Sequence, residues 1–287
     1  MTLLALLGAT PSQTESRGQR VALTPAVVVV GSPELIRVNA PAGAIVEGEW
    51  MGEKLAFFRG RSGSGWYALA GVDVESAVGA SDLRISALPG KSGGNPIDLS
   101  RNVEIHAAHY RTSTLTVAPK FVQPAPEDMA QIKAEIALKS KVFSSSANEP
   151  LWSGDFRAPV TAEPTDSFGT RRVFNGKIDS VHKGMDFRAA TGTPVHAGNS
   201  GVVVLARPLY YEGNCVAIDH GLGLFTISMH LSRIDVKEGE RVSKGELVGL
   251  SGATGRVTGP HLHWAVRWQN AYLDPAKMLK MDLGGVR

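Results

Sequence analysis

A single cysteine, Cys215, stands in 287 residues, so no intrachain disulfide exists and bridges say nothing about the redox compartment. Its neighbours Val216, Ala217 and Ile218 place it in a buried strand, as a packing residue and not a reactive thiol. No run approaches the ~20 apolar residues that cross a bilayer. Residues 1–9 are apolar but short and lack a basic flank, although Gly8-Ala9 imitates a cleavage site; a trimmed or atypical signal peptide is one expectation. Charge of one sign is scarce too. The net charge is +3 with the basic residues scattered, which gives no support to a nucleic-acid footprint and is compatible with an anionic cell-wall polymer. The His-Glu-x-x-His helix and the Gly-x-Ser-x-Gly elbow, the two commonest hydrolase signals, are missing.

What is present is the composition of an ordinary globular protein, 43% hydrophobic and 20% charged, at a length that predicts two domains. Short apolar runs punctuated by turn residues occupy 26–30, 34–38, 54–58, 66–70, 82–87, 103–107 and 112–117. This spacing predicts an antiparallel sandwich, immunoglobulin-like, with Trp66 in its core. His106 and His109 lie three apart, on opposite faces of a strand, and are not expected to share an ion. After the break at 122–126, Glu127 and Asp128 open a helix whose Met129, Ile132 and Ile136 form one side, with Lys139 and Lys141 at its end. From 151 the chain is β-rich again, with strands expected at 171–174, 181–187, 201–206, 215–219, 224–230, 247–250 and 261–267, a turn at Asn175-Gly176, and one short helix near 275–279. The fold class is therefore all-β: a sandwich over 22–120, a helical linker over 121–150, and an antiparallel domain around a groove over 151–287.

The chemistry resides in histidines. In an extended strand, residues i, i+2 and i+4 share a face, so His182 and Asp186 project together with the bare Gly184 between them. The same period puts His261 and His263 on one face and turns Leu262 to the core. Two such faces brought together make a cation site of nitrogen and carboxylate ligands, the preference of zinc. His230 completes the set, whereas His196 and His220 read as structural.

In order along the chain, Ser167-Phe168-Gly169-Thr170-Arg171, His182-x-Gly184-x-Asp186, Gly192-Thr193-Pro194-Val195, Ile218-Asp219-His220-Gly221, His230-Leu231-Ser232 and Thr258-Gly259-Pro260-His261-Leu262-His263 resemble the lysostaphin-type, or LytM-type, zinc metallopeptidases. The resemblance covers roughly 154–279 and leaves the first domain open. It implies one Zn²⁺ held by His182, Asp186 and His263 with water in the fourth position, and His230 and His261 as catalytic histidines. It also implies peptidoglycan as substrate, cut in its peptide stems or cross-bridges by an endopeptidase of the cell envelope, periplasmic or extracellular. A partner in the cell wall for the N-terminal domain is a further expectation. Close relatives often carry Tyr where this chain has Ser228, followed by Met229, which predicts an altered groove wall. Arg171 or Arg172 is placed to meet a stem carboxylate or to form a structural ion pair, and Asn214 to line the groove or hold a turn. Two other readings compete. One is a silent LytM-type regulator of a cell-wall amidase, although such regulators have typically lost ligands that this chain keeps. The other is a carrier domain, suggested by the hairpin-like stretch 242–249 around Lys244.

Overall fold

The computed structural model describes residues 20–60, 63, 65–90, 95–176, 178–284 and 286; the signal-like stretch 1–9 lies outside them. The architecture is β-sheet, with two α-helices among the described residues, Pro126–Phe143 and Pro275–Met278. No helix among them is long and apolar enough to cross a membrane.

The N-terminal part holds two sheets. One orders the strands Val21–Thr24, Pro33–Val38, Trp66–Gly71 and Phe58–Arg59; the other orders Val28–Val29, Ile97–His106, Gly79–Leu88, Ile45–Trp50 and Glu53–Lys54. All pairings are antiparallel except that of Val28–Val29 with Ile97–His106. Alternate residues Leu83, Ile85 and Ala87 face inward, as a two-residue period requires, and both sheets contribute to one apolar cluster. This order does not by itself establish the immunoglobulin-like arrangement expected from the sequence. Two local expectations are corrected. The run 54–58 is not one strand, because Glu53–Lys54 ends in one sheet and Phe58–Arg59 joins the other. Trp50, fully buried, fills the core in place of Trp66. Trp66 opens its strand opposite Arg59, whose guanidinium stacks 5.2 Å from the indole, and its N–H donates to the Pro41 carbonyl at 3.1 Å.

The strand Thr112–Leu115, expected in the sandwich, instead pairs in parallel with Arg171–Phe174 of the second part. Asn175 fixes that register: its side-chain oxygen accepts from Val117 N, and its amide nitrogen donates to Val117 O, each at 2.9 Å. Asn175 and Gly176 have φ of 51° and 71°, the left-handed pair that a tight hairpin turn needs.

The connecting helix Pro126–Phe143 buries Ile132 and Phe143, but Met129 and Ile136 are exposed. Polar anchors set its rotation. Asp128 accepts from Tyr210 OH, Glu135 from Tyr210 N, and Lys139 pairs with Glu212. Since residues 128, 132, 135 and 139 share one side of a helix, Ile132 turns inward with the polar anchors while Met129 and Ile136 of the expected apolar side stay exposed.

The C-terminal sheet orders Pro164–Asp166, Met185–Phe187, Leu262–Trp268, Leu224–Leu231, Gly213–Asp219, Gly201–Leu209 and Arg241–Val242, with Ala271–Leu273 paired beside Leu262–Trp268. Its central strands are buried along nearly their whole length, because the sheet is covered on both faces. One cover is the connecting helix, through Phe143 against Phe225 with ring centroids 5.2 Å apart. The N-terminal sheets reach the same domain. Phe58 packs edge-on against Trp152 at 5.6 Å. Tyr272 N donates to Asp73 Oδ2 at 2.7 Å, and Gly71 lies so close to Leu273 that a Cβ would fall 2.3 Å from it.

Candidate metal centre

Two neighbouring strands of the C-terminal sheet carry Asp186 and His263. Met185–Phe187 and Leu262–Trp268 are antiparallel neighbours, with Asp186 directly opposite His263. On a pleated sheet, side chains of directly opposed residues emerge on the same face, so Asp186 and His263 meet by register alone. His182 arrives differently from the sequence expectation. The run 181–187 is interrupted: one strand ends at Val181 and the next begins at Met185. Gly184, at the break, does not hold an ion gap open. A Cβ there would lie 2.4 Å from His263 Nε2 and 2.8 Å from the Trp264 carbonyl oxygen, so the missing side chain makes room for the His263 ring.

The three donors converge. His182 Nε2 lies 3.0 Å from Asp186 Oδ1 and 2.9 Å from His263 Nδ1, and His263 Nδ1 lies 2.9 Å from Asp186 Oδ1. All three residues are buried. The tautomer of His182 is fixed by a neighbour. Its Nδ1 is 3.0 Å from the Ser167 carbonyl oxygen, which only accepts, so Nδ1 carries a proton and Nε2 is the atom turned to Asp186 and His263. Burial would raise the Asp186 pKa, but His182 and His263 outweigh it and hold the carboxyl well below the usual range. Burial also pushes His263 down to about 4, against the pull of Asp186, so at neutral pH it is an uncharged ligand type. Donors of a tetrahedral ion with bonds of about 2.0–2.2 Å lie roughly 3.3 Å apart. A near-equilateral triangle of two imidazole nitrogens and one carboxylate oxygen fits such an ion.

The other Asp186 oxygen, Oδ2, accepts from Arg172 at 2.5 Å, and the same guanidinium binds Asp166. Arg172 is thus a structural ion pair that orients the cluster. Asp166 also receives Arg111 and stands 3.6 Å from His182 Nδ1. This carboxylate lies one residue before the Ser167 motif, and sequence reasoning passed over it; its position next to that motif was the available signal.

His230 and His261 flank the cluster with ring centroids 5.0 Å apart. Each has Nδ1 near a backbone carbonyl oxygen, Thr254 at 2.9 Å and Gly259 at 2.8 Å. Both therefore carry a proton on Nδ1, and the Nε2 of His261 is 3.7 Å from Asp186 Oδ1. Burial, with the charges of His263 and His261, pushes His230 down to about 3, so it is neutral at pH 7. Its φ is 63°, and the pairing with Gly213–Asp219 slips between Asn214 and Val216. This bulge breaks the alternation, so that consecutive residues Met229 and His230 both border the groove. Ser228 does not; it is buried in the sheet.

The groove encloses about 670 Å³ above this cluster. Its lining includes the strand Thr112–Leu115 with Arg111 and Val117, and also Tyr211, Arg256 and the 258–260 loop. The remaining candidates stand apart. His220 is fully buried between Ser200 O and Thr226 Oγ1, both at 2.8 Å, and burial lowers it to about 4; it buttresses the fold and not the cluster. His106 and His109 are exposed, and His196 is half-buried. Asn214 neither borders the groove nor holds a turn: it donates to Leu231 O at 2.9 Å, across to its partner on the neighbouring strand. Burial raises the Cys215 thiol far above its free value, which matches an inert core cysteine.

Residues 180–275 match the model of peptidase family M23. The peptidoglycan DD-endopeptidase ShyA of Vibrio cholerae is 54% identical over 101 residues, 35% of this chain and 24% of that protein. The peptidoglycan DD-endopeptidase ShyC of the same organism is 43% identical over 122 residues, 42% of this chain and 28% of its own length. The chain thus spans about a quarter of the curated relatives it matches. A crystal structure from Pseudomonas aeruginosa, provisionally assigned to peptidase M23, superposes with a TM-score of 0.61 at 28% identity, covering 84% of this chain and 95% of that one. The wall segment 111–117 and Asp166 lie before the stretch matched by the family model.

Proposed function

We propose, from the match of residues 180–275 to the model of peptidase family M23 and their likeness to a peptidoglycan DD-endopeptidase, that the protein is a zinc-dependent endopeptidase of peptidoglycan peptides acting in the cell envelope. The catalytic unit is 151–287, and the wall segment 111–117 completes its groove. The observation that carries this reading is the convergence of two imidazole nitrogens and Asp186 Oδ1 within 3.0 Å of one another, with His182 Nδ1 tied back to the Ser167 carbonyl.

His182, Asp186 and His263 would hold the ion. Bound there, zinc would supply a Lewis acid and bring the pKa of a coordinated water toward ~7. The chain's own groups then manage protons. His230 is neutral at pH 7 and its Nε2 is unprotonated, so it accepts a proton from the attacking water. The Thr254 carbonyl, accepting from His230 Nδ1, holds the ring in that tautomer and stabilises the imidazolium once formed. His261 presents a second Nε2 on the same side and, after taking up a proton, hydrogen-bonds to the developing oxyanion or to the leaving amine. Burial of the cluster and of His230 keeps bulk water from competing for these positions.

The presence and convergence of all five side chains support the enzyme over the regulator reading. The deciding experiment is digestion of defined peptidoglycan fragments with and without a chelator, followed by product masses. Amide cleavage that disappears with chelation and returns with zinc is expected; unchanged fragments in the presence of stoichiometric zinc would overturn the reading.

A further inference from the structure

The groove carries four permanently charged cationic side chains: Arg111, Arg172, Lys183 and Arg256. Three are neutralised. Arg111 pairs with Asp166, Arg172 with Asp166 and Asp186, and Lys183 with Glu75. Arg256 differs, having no ion pair with an acid among the described residues. Glu212, the acid whose charge reaches it, is bound to Lys139 of the connecting helix. The Arg256 guanidinium lies 4.5 Å from the Phe174 ring centroid and 4.9 Å from that of Tyr211. Its backbone N–H is anchored on Tyr211 O at 2.8 Å. Stacking against aromatic rings satisfies the flat faces of a guanidinium but not its in-plane N–H donors.

The geometry points to Arg256 as a carboxylate-binding subsite, one that grips an anionic group of the peptide lying in the groove and so selects stems with free carboxylates. Three features argue for it. The cation is held in place by rings instead of by a counter-ion, so its orientation is set before ligand arrives. The donors left over form the planar fork that matches a carboxylate in bidentate fashion. Partial burial lowers its pKa, yet a guanidinium stays charged at any physiological pH, and a half-buried charge without a partner gains most from a ligand that supplies one. Phe174 belongs to the hairpin that pairs with Thr112–Leu115, so the wall strand and the subsite are built on one sheet.

The inference rests on the proposed peptidoglycan substrate, and the test separates the two. Binding of a synthetic stem tetrapeptide with free carboxylates, and of the same peptide fully amidated, is measured by calorimetry on the full chain, with turnover recorded separately. Wild type is expected to bind the free acid about 10- to 100-fold more tightly, the range of one charge-assisted hydrogen-bonded pair. Arg256→Met, which keeps the apolar stem against the rings, should lose that preference while retaining zinc content, melting temperature and affinity for the amidated peptide. Arg256→Gln gives the same readout should the Met variant fold poorly. Equal binding of acid and amide by wild type, or a preference that survives in both variants, overturns the assignment. Absence of turnover with the preference intact would count against the enzymatic reading alone.

Discussion

Replacing Gly184 by Ala adds a single methyl group, and the structure fixes where it goes. The glycine is not in the left-handed region, so backbone strain plays no part and the effect is contact alone. The new Cβ lies 2.4 Å from His263 Nε2, 2.6 Å from its Cε1 and 2.8 Å from the Trp264 carbonyl oxygen. An ordinary contact begins near 3.4 Å, so the imidazole must retreat by about 1 Å. Its other side is occupied, since Nδ1 already lies 2.9 Å from both Asp186 Oδ1 and His182 Nε2, and Trp264 belongs to a buried central strand. Overpacking of this kind costs about 1–3 kcal/mol of stability, and a 1 Å misplacement at a reacting centre lowers turnover by about 10²-fold. Gly184→Ala should therefore remain folded with a modestly lower melting temperature, hold substoichiometric zinc after dialysis, and hydrolyse defined muropeptides about two orders of magnitude more slowly. Metal content by mass spectrometry, thermal unfolding and product analysis measure the three quantities. Full zinc occupancy together with wild-type turnover would refute the account of how His263 is seated.

His182→Ala should lose zinc and turnover together, whereas His230→Ala should keep zinc and lose about 10²–10⁴-fold in rate; loss of metal in the latter would mean that a base has been mistaken for a ligand. His220 is lowered from 6.5 to about 4 by burial, so its contribution to stability is complete above pH 6.5 and lost as the pH falls toward 4, roughly 3 kcal/mol in all. Urea unfolding across that range should show the loss, and His220→Gln should flatten it. Glu34 has the opposite sign. Burial lifts it from 4.5 to about 8, so stability is intact below 4.5 and lost as the pH rises through 8. Glu34→Gln, which still accepts from Ser32 Oγ where Glu34 Oε1 does at 2.6 Å, should raise stability by roughly 2–4 kcal/mol near pH 7.5 and change little at pH 4. Equal effects at both pH values would rule out a titrating Glu34.

Period-two alternation made His261, Leu262 and His263 legible from sequence, because that rule needs no tertiary information and Leu262 is indeed fully buried. The pairing of Asp186 with His263 was not legible, since residues 77 positions apart meet only through register. Gly184 was noticed for the wrong reason: a gap was expected, and the space is taken by a ring from the next strand. The N-terminal acids locate the helix, and of its expected apolar side only Ile132 is buried. Propensity locates a helix, whereas the partners at Tyr210 and Glu212 determine its rotation. The groove wall at 111–117 and the stacked Arg256 left no local signature, because each acquires its role from a distant neighbour, Arg171–Phe174 for the strand and Phe174 with Tyr211 for the cation.

The apolar cluster that runs from Trp50 and Phe58 through Trp152 to Trp264 and Met278 is continuous across the two parts of the chain. Opening either part exposes surface belonging to the other, so local openings that would otherwise be independent are joined into one large cooperative event. Whatever clasps the groove raises the free energy of that event everywhere. Amide protons on the distant Gly79–Leu88 strand should then exchange more slowly when the groove is filled, and the far end of the molecule becomes a reporter of occupancy at the near one.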